Sequence, residues 1–171
     1  MDTAARAQES PTGNGTRAIG SSDDHRPLGA YALLAGAFNA AFATALVTAH
    51  RSGRLGDLRG GDVVLAAVAT QKLSRLLAKA KVTSFLRAPF TRHQGESGPA
   101  EVSETPRGTG MQKVAGELVS CPYCLAQWLA AGFTLGLMAA PRPTRAIAGT
   151  YAVLGLADFL QVGYAIAEEK L

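Results

Sequence analysis

The chain has 171 residues, 47% of them hydrophobic, with two cysteines, three histidines and a formal net charge of +4. Two cysteines exclude a disulfide-dense secreted scaffold. The mean hydropathy of +0.10 would suit an ordinary globular domain, but the apolar residues fall in blocks flanked by Lys and Arg. That arrangement meets lipid headgroups, so no nucleic-acid partner is expected.

Residues 1–27 carry Asp2, Glu9, Asp23 and Asp24 among Ser, Thr, Gly and Pro. A secretory signal needs a basic start followed by an apolar run, so this segment reads instead as a disordered polar tail. Residues 28–49 contain no charged side chain, and as a helix they rise about 33 Å, enough to cross a ~30 Å hydrocarbon core. Within them Gly36, Ala40, Thr44 and Thr48 recur every fourth position and predict a smooth helix-packing face. Asn39 is expected to bond a neighbouring helix.

Residues 62–81 start apolar and then alternate Lys72, Arg75, Lys79 and Lys81 with Leu73, Leu76, Leu77 and Ala80 at helical spacing. Such a segment either crosses the membrane with snorkelling cations or lies in the interface, and crossing is favoured. Residues 82–92 interleave Phe85, Leu86 and Phe90 with Arg87 and Arg92, which predicts buried rings and solvated charges at a membrane surface. Residues 94–110 are rich in Gly, Pro, Ser and Glu, and about 82–117 as a whole reads as a mobile cytoplasmic loop.

Two further apolar stretches, 118–140 and 146–167, are separated by Pro141 and Pro143 and predict a helical hairpin with a link of about five residues. Gly132 and Gly136 give the first of them a small-xxx-small face. The fold class is therefore an all-α membrane bundle over 28–171, with three firm spans and one basic, uncertain span. Of the Lys and Arg residues, three lie in the N-terminal tail, eight between 72 and 113 and one at the C-terminus, against three at 51–59 and two just after residue 140. This imbalance puts the central basic loop in the cytoplasm with either three or four crossings.

The residues most able to carry chemistry are Cys121 and Cys124, separated by Pro122 and Tyr123. Pro122 fits the first helical position, which makes Cys121 the N-cap and lets its sulfur accept orphan amide hydrogens at the positive end of the helix dipole. The four letters resemble the glutaredoxin active site, but a membrane helix follows them here and a glutaredoxin fold is not expected. Two thiolates are also half of a tetrahedral zinc site, which would need a homodimer giving four sulfurs, or His93 or His50. The structural alternative is that both cysteines act as small apolar residues. Asp158 stands near the middle of the last span, where an unpaired charge costs roughly 3 kcal/mol or more, so Arg75 or Lys72 is its expected partner. The histidines His25, His50 and His93 lie in tails and loops and read as solvated. The chain shows no phosphate-binding glycine loop, no H-E-x-x-H and no nucleophile elbow.

The stretch ATQKLSRLLAKAKVTSFLRAPFT, then GELVSCPYCLAQWLA, and more loosely ADFLQVGYA, resemble a bacterial membrane family catalogued as domain of unknown function 1360. The resemblance runs through residues 62–165 and implies a bacterial, multi-pass membrane location without a defined activity. The function expected is a non-enzymatic scaffold or partner-binding protein in the lipid bilayer. The alternatives are a membrane dithiol oxidoreductase using Cys121 and Cys124, with a quinone or a partner protein as electron acceptor, and a dimeric metal-binding protein. No cofactor is required by the first reading.

Overall fold

Pro27, Pro122 and Pro141 stand at the starts of three long helices in the computed structural model, which describes residues 27–53 and 55–170. Apart from Pro27, the tail at 1–27 lies outside the described residues. The elements in order are α1 (Leu28–Arg51), α2 (Gly60–Lys79), a 3₁₀ turn (Lys81–Thr83), α3 (Ser84–Arg87), β1 (Thr91–Gly98), β2 (Glu101–Pro106), α4 (Gly110–Ser120), α5 (Pro122–Ala139) and α6 (Pro141–Glu169).

The four long helices alternate in direction. Arg145 pairs with Asp62 and Asp158 with Lys72, so α6 advances alongside α2 in the same sense. Helices α5 and α6 are joined by Ala140 alone and fold back on each other, with Thr144 close against Gly136. The link is shorter than the sequence suggests because Pro141 and Pro143 fill the first turn of α6, where a missing N–H costs nothing. Helix α1 runs with α5: Tyr31 bonds Glu117, Phe38 packs edge-on against Trp128 at 4.9 Å, and the Gly56 amide donates to the Met138 carbonyl at 3.0 Å.

Packing is inverted relative to a water-soluble bundle. Small residues fill much of the interior, among them Ala69, Ala78, Ala148 and Ala152, with Phe133 and Leu137 as the larger members. Val63, Val153, Leu156, Phe159 and Leu160 face outward. Small interior residues let helix backbones approach closely, as Gly155 does against Val68 and the Cβ of Lys72.

Several expectations are corrected here. Two helices, Leu28–Arg51 and Pro141–Glu169, are long and apolar enough to cross a membrane. The stretch at 118–140 is not one straight span: α4 and α5 meet at 79°, and the pair counts as a third span only if taken together. The cause is local, since Cys121 precedes proline and is held extended at φ −104° and ψ 109°. The all-α reading is also incomplete, because the segment read as a mobile loop at 82–117 contains the 3₁₀ turn, α3, the antiparallel β1–β2 hairpin and α4. On α1 the smooth stripe of Gly36, Ala40, Thr44 and Thr48 is exposed, and the half-buried face is Tyr31, Leu34, Phe38 and Phe42. Aromatic rings supply more contact area than the small residues would. Asn39 donates within its own helix to the Ala35 carbonyl at 2.8 Å and bonds no neighbouring helix.

Candidate functional site

The break between α4 and α5 builds the most reactive-looking place in the chain. Cys121 caps α5, and its Sγ accepts the Cys124 amide at 3.3 Å, as the position of Pro122 predicts. The two Sγ atoms are 2.8 Å apart, with Cys124 as donor. Both cysteines are free; Cys121 is half-buried and Cys124 exposed. Tyr123 between them is 89% exposed. Glu117, in the last turn of α4, accepts a hydrogen bond from the Tyr31 hydroxyl. Neither Glu117 nor Tyr31 was singled out from the sequence. A signal was present, because Glu117 stands one helical turn before Cys121.

Among the described residues no group of three or more His, Cys, Asp or Glu could hold an ion. His93 is exposed on β1, and His50 ends α1 at the opposite end of the bundle from Cys121.

At the same end as the cysteines sits a headpiece made of the 3₁₀ turn, α3 and the hairpin. Its anchor is Arg87, which sequence reasoning expected to be solvated and which is only 1% exposed. All five guanidinium N–H groups find acceptors. Nε and Nη2 bond the Glu104 carboxylate at 2.7 and 3.3 Å, Nη1 bonds the Leu77 carbonyl at 2.5 Å and Thr83 Oγ1 at 2.8 Å, and Nη2 also bonds the Ala80 carbonyl at 3.1 Å. The Thr91 hydroxyl gives Glu104 a further bond at 3.1 Å. Arg87 thereby satisfies carbonyls left over at the C-terminus of α2, where the helix dipole favours a cation. Phe85 and Leu86, expected to insert into a membrane surface, point away from the protein, because the backbone that turns Arg87 inward turns them out.

The other expected site residues separate. Asp158 pairs with Lys72 at 2.5 Å, whereas Arg75 forms a two-point pair with Glu101 at 2.7 and 3.1 Å that ties α2 to β2. A further pair was missed: Asp62, buried in the first turn of α2, receives Arg145 through two bonds of 2.7 Å. Lys81 Nζ bonds Glu96 at 2.9 Å across the headpiece surface; this holds the Glu96 carboxyl below the ordinary carboxylate range and raises Lys81. A cleft of about 230 Å³ between α2 and α5, reaching Thr70 and Thr134, carries no charged lining residue.

Residues 65–164 match the family described as protein of unknown function (DUF1360). The chain belongs to this family. It is also similar to the sporulation protein YjcA of Bacillus subtilis (strain 168), with 29% identity over 107 residues, 61% of this chain and 91% of that protein. No solved structure matches the chain. The DUF1360 region takes in most of α2, the whole headpiece, α4, α5 and most of α6. Within it lie the Arg87–Glu104 anchor, both cysteines, Glu117 and the Lys72–Asp158 pair. Helix α1, which brings Tyr31, lies outside it.

Proposed function

We propose that this DUF1360 protein is a multi-pass bacterial membrane scaffold whose helices hold a rigid headpiece at the cytoplasmic surface. The observation that carries the reading is the inverted packing, with large apolar side chains outward and small ones inward. Exposed apolar surface on this scale marks contact with lipid or a partner, and small interior residues are the packing device of membrane helices. The excess of Lys and Arg between 72 and 113 supports placing the headpiece in the cytoplasm.

The headpiece supplies what a scaffold presents. Val82, Phe85 and Leu86 are 74, 70 and 51% exposed, next to Lys81, on a segment that the Arg87 anchor cannot release without leaving a buried charge unpaired. Apolar side chains flanked by a cation suit the interface of an anionic membrane. A photocrosslinking amino acid at position 85 tests this in intact bacterial membranes. Adducts with lipid are the expected product, and a discrete protein adduct would mark a partner-docking surface instead. Crosslinking to neither would remove the headpiece from the reading.

A further inference from the structure

The scaffold reading leaves the two thiols unused. We propose that Cys121 and Cys124 form a dithiol–disulfide exchange site that takes a disulfide as its substrate, with Cys121 as nucleophile and Cys124 as the resolving thiol.

Cys121 is suited to attack. Its sulfur receives two donors, the Cys124 amide at 3.3 Å and the Cys124 thiol at 2.8 Å, and stands at the N-terminus of the 18-residue α5. Cys124 is suited to resolve. It is one turn on and already beside the Cys121 sulfur.

In the first step the Cys121 thiolate attacks one sulfur of a disulfide R–S–S–R′. A Cys121–S–R bond forms, the substrate S–S bond breaks, and R′–S⁻ leaves and is protonated from water. In the second step Cys124 gives its proton to water and attacks the Cys121 sulfur. The Cys121–Cys124 bond forms, and R–S⁻ leaves and is protonated from water. Two electrons pass from the chain's dithiol to the substrate, which departs as two thiols, and the reverse sequence oxidises a substrate dithiol. Tyr123, exposed between the cysteines, offers an aromatic face beside the reacting sulfur.

The test uses the full chain, purified in detergent and reduced, with glutathione disulfide in one arm and a disulfide-bonded peptide in the other. The expected result is a Cys121–Cys124 disulfide, seen by mass spectrometry as loss of two hydrogens and reversed by dithiothreitol. Reaction with glutathione disulfide alone identifies a small-molecule substrate, and reaction with the peptide identifies a protein disulfide. Reaction with neither overturns the proposal. Cys124→Ser should trap a mixed disulfide on Cys121, and an adduct on Cys124 in Cys121→Ser at an equal or greater rate would overturn the assignment of the nucleophile. None of these readouts depends on where the headpiece docks, so failure here leaves the scaffold reading standing.

Discussion

Arg87 is the residue on which the headpiece depends. A guanidinium with a side chain only 2% exposed is stable because Glu104, Thr83 and the end of α2 supply an acceptor for every N–H. Removing either charge leaves the other buried and unpaired. Arg87→Ala or Glu104→Ala should therefore each destabilise the protein by about 3–5 kcal/mol, measured as the midpoint of thermal unfolding in detergent. Arg87→Met with Glu104→Leu should recover part of the loss, since no buried charge remains, though not the bonds to the α2 carbonyls. Equal stability of Arg87→Ala and wild type would mean that the anchor is not formed. The exposed Lys81–Glu96 pair makes a useful contrast. Because its bond to Lys81 depresses the Glu96 carboxyl, the pair's contribution is complete above the ordinary carboxylate range and is lost as pH falls through the depressed value. Lys81 is raised, so its contribution persists through neutral pH and is lost only as pH rises through that raised value. Glu96→Gln should accordingly leave the unfolding midpoint at neutral pH unchanged within error, as expected of a solvated pair with side chains 65 and 72% exposed.

At the scale of elements, two junctions position the chemistry. The bend at Cys121 follows from proline chemistry and places the sulfurs at a helix start. The seat of α4 on the hairpin follows from close approach: a Cβ at Gly116 would lie 2.5 Å from the Phe90 carbonyl oxygen and 3.1 Å from the Pro106 Cβ. Those neighbours are backbone and a proline ring, which cannot swing aside. Gly116→Ala should cost about 1–3 kcal/mol and raise amide hydrogen exchange across β1 and β2. Gly132→Ala serves as the control, because nothing lies within 4 Å of its added methyl. It should leave exchange in the hairpin unchanged and stabilise α5 by up to about 1 kcal/mol through helix propensity. The hairpin itself was hard to read from the sequence for a physical reason. The inward face of β2 consists of Val102, Glu104 and Pro106, so its alternation carries one aliphatic side chain, one charge and one proline. A search for alternating hydrophobicity passes over it.

For the whole molecule, the alternating directions of α1, α2, α5 and α6 bring the start of α1, the end of α2, the start of α5 and the end of α6 to one end, together with the headpiece. If all four cross, both termini lie on the headpiece side. A phosphatase reporter fused before Leu28 and another fused after Leu171 should then both be inactive, because both lie in the cytoplasm, and a reporter that works only in the cytoplasm should be active at both positions. Opposite results at the two termini would mean that α2 lies in the interface and that three helices cross. The Lys72–Asp158 and Asp62–Arg145 pairs favour the four-crossing arrangement, since each cancels charge on the face where α2 meets α6.

Periodicity, block hydrophobicity and proline placement sufficed to specify α1, α2 and α6, the α5–α6 hairpin and the N-cap role of Cys121, while the DUF1360 membership was legible as a resemblance of short motifs. These are properties of residues near one another in the chain, and local sterics and apolar length decide them. Which charge met which acceptor was a different matter. Arg87 reaches Glu104 across 17 positions, Tyr31 reaches Glu117 across 86, and Arg145 reaches Asp62 across 83. A basic residue near an aromatic one reads as solvated until the fold supplies a carboxylate and free carbonyls to surround it. The partners of Arg75 and Asp158 were open for the same reason, because Lys72 and Arg75 lie one turn apart and only the packing of α6 and β2 against α2 assigns each its acid. The tertiary structure decided the buried polar contacts because desolvation makes a charge acceptable only where distant segments converge to satisfy it.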